Sequence, residues 1–496
     1  MLSQYFKQDQ SRVYQFFLAV LAGLVLGIAT VFATPIVVFG ALITIFLVVL
    51  ILKKPEFAVL GIIFFTATLF DSTANLGIFL GFGHIYLTDI LLFTGLILVF
   101  VRTIMEPRFN IVHTPLDAPI ILFVAMAFLS TFIAIMQKSL VLQQSLHEMR
   151  IVANYLVFFI ITNLVRDEKQ MRRLLGGLII LAVIVVIVMV IQYILGAALP
   201  ILPGLGSSSR VEVLYTEGRS YASVTRIIPP GYSTVFVVFV TLSVVLLFDD
   251  FRAKNELLLI PLALTGLGLV FTFKRHLWFS AIMAFLLILY LGRKKELQRL
   301  IRGGAVIFLA AIIGVIFLVN FTGKAGPDLV NSSLDRLLSF VQPETYTDPN
   351  SSLRWRDFEY QYAIPQIISH PMLGLGLGSK YRPFVYPKDW AEFDGRGWIH
   401  NGHLWVIVKA GLLTYIPMLF FLVLFLYRGF KYWRLIPASW SRVYYLGFTI
   451  ATLGMVIGSI IEPMIISWQW SVLIGTMMGC NEVILRSVSL GTQNHS

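Results

Sequence analysis

The chain has 496 residues, 58% of them hydrophobic and 13% charged, with a mean hydropathy of +0.84 and a net charge of +12. A soluble globule of this size needs a far more charged surface, so that class is excluded. Repeated apolar runs of about 18–22 residues predict an all-α polytopic membrane protein with about 12–14 transmembrane helices.

In chain order the apolar segments fall at 13–30, 34–52, 57–70, 87–103, 118–136, 150–165, 174–196, 232–248, 257–273, 277–292, 304–321, 402–427, 443–461 and 464–484. The first runs straight into the second, so no cleavable signal peptide is expected. Alternating from a cytoplasmic N-terminus, the inner loops collect Lys53, Lys54, Arg102, Arg108, Arg166, Lys169, Arg172, Arg173, Arg252, Lys254, Arg293 to Arg302 and Arg428 to Arg442. The stretch 71–86 on the opposite side has no Lys or Arg. This asymmetry puts both termini in the cytoplasm and accounts for the positive charge without nucleic acid. One cysteine, Cys480, excludes an intrachain disulfide and reads as inert packing.

Residues 1–321 are thus expected to hold the N-terminal helices, with an external loop at 197–231. Residues 322–400 form a large external loop, and 401–496 hold the C-terminal helices, all within one membrane domain. Within the large loop, 353–370 reads as an amphipathic helix lying on the membrane face. Asn350 or Ser351 would start it, Pro371 would follow it, and Trp355, Phe358, Tyr362 and Ile368 would form its apolar side.

Four constellations could carry chemistry. Lys274, Arg275 and His276 crowd a tight external turn, where the charge asymmetry makes a basic cluster costly, so Arg275 reads as functional. Snorkelling to lipid phosphates is the plainer explanation for Lys274 and Arg275. Arg354 and Arg356, two apart on a helix, point about 200° away from each other. One of them can reach an anion while the other pairs with a neighbour such as Asp357 or Glu359. His400 and Asn401 stand at the entry of an apolar helix. The histidine suits proton acceptance near neutral pH, and Asn401 either caps the helix or orients the imidazole. His403 and His370 compete with His400 for that role. The run Pro371 to Gly378, with Gly374 and Gly376, could bring backbone N–H groups to a phosphate or could form a simple turn. Arg210, Arg219 and Arg226 in the other external loop are further anion contacts, and Lys409 could snorkel, pair with a carboxylate or hold a phosphate.

No Walker loop or zinc-type Cys/His spacing occurs, and the external loops lack an Asp-x-Asp, so neither a cofactor nor a metal is expected. The outer face of a bacterial membrane offers no ATP, so an enzyme working there needs a donor that is already activated.

Arg356, Tyr360 four later, Pro371 fifteen later and then Leu373-Gly374-Leu375-Gly376 resemble the R-x-x-x-W … P-L-x-G-x-G signature of the O-antigen ligase and polymerase family. Ile399-His400-Asn401 with Gly411 resembles its H-N motif, and Thr272-Phe273-Lys274-Arg275 its T-x-S-R. The motifs span 272–411, and the helical layout extends the likeness to most of the chain. Tyr360 stands where tryptophan is common, and Lys274 and His276 replace small residues around the arginine.

The resemblance implies a fold of the membrane glycosyltransferase C type in the bacterial cytoplasmic membrane, with its site on the periplasmic face. It implies transfer of a glycan en bloc from undecaprenyl pyrophosphate to a hydroxyl of another glycan, of lipid A core or of another acceptor. His400 would be the general base, and Arg275 with Arg356 or Arg354 would bind the pyrophosphate, aided by Lys274. Inversion at the anomeric carbon follows for a single displacement. A polymerase of lipid-linked repeat units shares these motifs. A transporter of lipid-linked glycans is the reading from another class, although transporters favour ionisable groups at the midplane and these cluster at an edge.

Overall fold

The computed structural model describes residues 23, 53–70, 77–79, 84–107, 109–195, 210–213, 225–248, 257–292, 352–385, 394–437 and 439–493. The segments expected at 13–30, 34–52 and 304–321 lie outside them, residue 23 apart, as do both termini and most of the loop before 352.

The described chain is mostly helical. It runs α1 (Pro55–Thr66), β1 (Gly77–Phe79), β2 (His84–Tyr86), α2 (Leu87–Met105), α3 (Asp117–Met136), α4 (Leu142–Ala153), α5 (Val157–Leu164), α6 (Glu168–Leu195), β3 (Arg210–Val213), β4 (Thr225–Ile228), α7 (Tyr232–Phe248), α8 (Leu259–Phe271), α9 (Arg275–Leu291), α10 (Ser352–Ser369), α11 (Gly402–Tyr432), α12 (Trp440–Gly458) and α13 (Trp468–Gln493). Among the described residues four helices are long and apolar enough to cross a membrane, over Leu87–Met105, Asp117–Met136, Glu168–Tyr193 and Gly402–Tyr432. Their outward faces carry Phe93, Ile97, Phe100 and Ile104 on α2, and Ile416, Phe420 and Val423 on α11. Exposed apolar strips of this size suit lipid rather than water.

Besides the helices there are two short antiparallel ribbons, β1 with β2 and β3 with β4, the second inside the loop predicted over 197–231. Arg226 lies opposite Glu212 in that ribbon. The segment predicted at 150–165 is no single span: a 3-10 turn at Asn154–Leu156 separates α4 from α5. Polar Gln143, Gln144, Glu148 and Arg150 make α4 amphipathic, so it suits an edge and only α5 is buried.

The core is continuous, with α7 against α12, α3 against α11 and α5 against α13. Small residues allow the close crossings. A side chain at Gly447 of α12 would come within 2.9 Å of Thr241 Cα on α7. Helices in lipid gain from dispersion contacts at such approaches.

Candidate active site

Four chain segments meet at one end of this bundle. They are the N-terminus of α9, the middle of α10, the entry of α11 and the link between α12 and α13. The entry of α11 is built by Asn401. Its side-chain oxygen accepts from the His403 and Leu404 amides at 3.0 and 3.1 Å, satisfying two of the four amides that a helix start leaves over. Its amide nitrogen donates to the Tyr360 hydroxyl at 3.3 Å, tying the cap to α10.

His400, one residue earlier, is gripped by Glu359. The backbone N–H donates to Glu359 Oε2 at 2.8 Å, and ring Nδ1 lies 2.8 Å from Oε1. The carboxylate is 1% exposed and the imidazole 30%, so the acid is sealed behind a partly open ring. Burial first and the Glu359 charge second push the neighbouring Tyr381 phenol well above its usual range, so it stays protonated. Its hydroxyl donates to the Trp398 carbonyl at 3.0 Å, closing the loop that carries His400.

The two arginines of α10 part as their spacing requires. Arg354 is exposed, whereas Arg356 is half-buried and donates to the Ile461 carbonyl from Nε at 3.3 Å and Nη2 at 3.0 Å. Arg356 and Glu359, three apart, share one face of the helix. Arg382, buried, lies 5.0 Å from the Trp355 ring centre.

Lys274 and Arg275 enter from a strained turn. Phe273 has φ +46°, a left-handed conformation that costs a residue with Cβ about 1–2 kcal/mol. Full burial of its ring, tilted against Trp278, offsets that cost. The turn aims Lys274 at Glu462 (3.4 Å) and at the Tyr232 hydroxyl (3.2 Å), and makes Arg275 the first residue of α9, half-buried. Burial alone would raise the Glu462 carboxyl. Lys274, His276 and His400 together outweigh it and hold the group well below the ordinary carboxylate range.

A depressed carboxyl contributes its full stability above its unfolded value, about 4.3, and loses that contribution progressively as the pH falls from there through its own lower value. The thermal midpoint of the wild type should therefore drop more between pH 7 and pH 3 than that of Glu462→Gln. Equal drops would mean that Glu462 carries no such contribution.

Other expected site residues have different work. Lys409 is fully buried, its ammonium bonded to Glu148 and 5.1 Å from the Trp405 ring centre. Of the three uses open to Lys409, this is the pairing with a carboxylate. Lys409→Met should cost about 3–5 kcal/mol, since Glu148 then loses its cation, and adding Glu148→Gln should recover most of the loss in unfolding measurements. His403 is likewise turned inward, Nε2 lying 3.2 Å from the Val456 carbonyl and Nδ1 3.3 Å from the Tyr415 hydroxyl.

The glycine run is a clasp rather than a phosphate cradle. α11 is broken at Gly411, with φ +74° and ψ 178°. The amides of Leu375 and Gly376 donate to the Val408 and Lys409 carbonyls at 2.9 and 2.7 Å. The amides of Leu412 and Leu413 donate to the Pro371 and Met372 carbonyls at 2.9 and 3.2 Å. A break within a membrane-spanning helix must have its backbone groups satisfied, and this segment does so. The Gly374 amide is itself spent on the His370 carbonyl at 3.0 Å, and a Cβ at Gly374 would come within 2.6 Å of the Lys409 backbone. Arg219 and the Arg226 side chain lie outside the described residues.

Sequence reading missed Glu359 as the partner of His400, together with Glu462 and Tyr232. The available signals were an acid three residues after Arg356 and an isolated acid in Ile461-Glu462-Pro463, between two apolar segments. Among the described residues no group of three His, Cys, Asp or Glu side chains is placed to hold a metal ion.

A family model described as O-antigen ligase matches residues 260–419, the stretch that supplies Lys274, Arg275, Arg356, Glu359 and His400. No curated protein matches the chain.

Proposed function

We propose that this membrane protein, matched over residues 260–419 by a family model described as O-antigen ligase, transfers a glycan en bloc from undecaprenyl pyrophosphate to an acceptor hydroxyl. The work is done at the outer face of the bacterial cytoplasmic membrane, with both termini inside. The observation that carries the reading is the partly open His400 ring, gripped by Glu359 on the same helix as Arg356.

In the reaction the acceptor oxygen attacks the anomeric carbon as His400 takes its proton. The bond from that carbon to the pyrophosphate oxygen breaks, and undecaprenyl pyrophosphate leaves with the electron pair. Arg275, Arg356 and Lys274 meet the charge that builds on the leaving group, where hydrogen bonds to cations are strongest. Arg354 stands as an exposed outer contact for the same anion, with Arg219 and Arg226 as contacts from the other loop. Asn401 fixes the height of the histidine through the helix cap. The donor is already activated, so the transfer calls for neither nucleotide nor metal. Inversion of the anomeric centre follows from a single displacement.

Reconstituting the protein in liposomes with a lipid-linked glycan and separate candidate acceptors tests this. Capture of the glycan by another molecule identifies a ligase. Lengthening of the donor itself identifies a polymerase, the other activity compatible with the family. Movement of the intact lipid-linked glycan across the bilayer, with no transfer, overturns the reading in favour of a transporter.

A further inference from the structure

We propose that Glu359 is the positioning residue for His400, fixing its tautomer and its aim; this rests on the transferase reading above. One buried carboxylate holds two different groups of one residue, the backbone amide through Oε2 and ring Nδ1 through Oε1, each at 2.8 Å. A carboxylate can only accept, so Nδ1 carries a proton, and in the neutral ring the lone pair is then on Nε2. The ring nitrogen able to take the acceptor's proton is therefore set by Glu359.

The grip is rigid for two reasons. Glu359 is buried, so its rotamer is fixed by packing. The next residue on each segment is also paired, Tyr360 with Asn401 at 3.3 Å, so α10 is registered against the entry of α11 at two successive positions. The Trp398 ring stands edge-on to the imidazole with centres 6.4 Å apart, limiting rotation on that side.

The test is steady-state kinetics on the purified, reconstituted full chain. Glu359→Gln keeps the shape but offers Nδ1 an amide that can turn its NH2 group toward the ring, releasing the tautomer. It should lower kcat about 100- to 10,000-fold, the range expected when a general base is lost or misprotonated, and leave the donor KM within about 3-fold. The Glu359→Gln/His400→Ala double variant should be no slower than His400→Ala alone, because Glu359 acts only through the histidine. Glu359→Asp keeps the charge on a shorter arm and should lose at least about 10-fold in kcat at unchanged KM. It decides the matter if the glutamine variant fails to fold.

Multiplying losses in the double variant, or a raised KM at constant kcat, would overturn the positioning role. So would wild-type turnover by Glu359→Gln, or by Glu359→Asp where the glutamine variant does not fold, beside an inactive His400→Ala; the transferase reading would survive. Wild-type turnover by His400→Ala would remove the catalytic assignment itself, and this proposal with it.

Discussion

Replacing His400 by alanine is expected to slow glycan transfer about 100- to 10,000-fold while the protein still folds, measured by the rate of acceptor glycosylation in liposomes. The fold survives because the helix cap belongs to Asn401, and because Glu359 keeps its bond to the backbone amide of residue 400. What disappears is the proton acceptor. The competing histidines separate cleanly. His370 is exposed and lies beside the Ser369 hydroxyl, so His370→Ala should transfer at close to the wild-type rate. His403 is packed against α12 through Val456, so its replacement should lower the thermal midpoint before it touches kcat. Wild-type transfer by His400→Ala would remove the histidine from the chemistry.

The largest stability effect is expected at Gly411. Its φ of +74° with ψ of 178° lies in a region that only glycine occupies freely, so alanine there costs about 1–3 kcal/mol in backbone strain. A Cβ would also strike the clasp, meeting the Leu373 amide nitrogen at 2.5 Å and the Met372 backbone more closely still. The clasp strand must then withdraw, leaving the Val408 and Lys409 carbonyls and two amides without partners inside a membrane span. Each abandoned group adds about 1–3 kcal/mol, so Gly411→Ala should fail to give folded protein on size-exclusion after solubilisation. Gly176→Ala is the contrast, because nothing lies within 4 Å of that position in α6. It should match or exceed the wild-type melting temperature, as alanine favours the helix by about 1 kcal/mol.

Local signals in the chain were readable in advance, and long-range ones were not. The cap at Asn401 and the helix at Ser352–Ser369 follow from residue types a few positions apart. The divergence of Arg354 and Arg356 follows from helix geometry alone. The partners of His400 and Lys409 do not. Glu359 lies 41 residues before its histidine and Glu148 lies 261 before its lysine, and the two long-range pairs look alike as sequence. What separates them is which member is sealed, since Lys409 is fully buried whereas His400 is partly open. The glycine run stayed open between two uses because a run of small residues serves phosphate approach and backbone crossing equally. Its true counterpart, Gly411, stands inside an apolar stretch that reads as unbroken helix. The segment at 150–165 misled in the same way, since hydropathy does not register the tightening at Asn154–Leu156.

The central claim is that this chain breaks the bond between a glycan and its lipid pyrophosphate and moves the glycan to a hydroxyl. The most direct measurement follows free undecaprenyl pyrophosphate and glycosylated acceptor together, in liposomes, with a chelator present and no nucleotide. The account predicts that the two appear in equal amounts with the wild type, with the anomeric centre inverted in the product, and that neither appears with His400→Ala. Glycan that reaches the far side of the bilayer still joined to its pyrophosphate, with no lipid released, would contradict it.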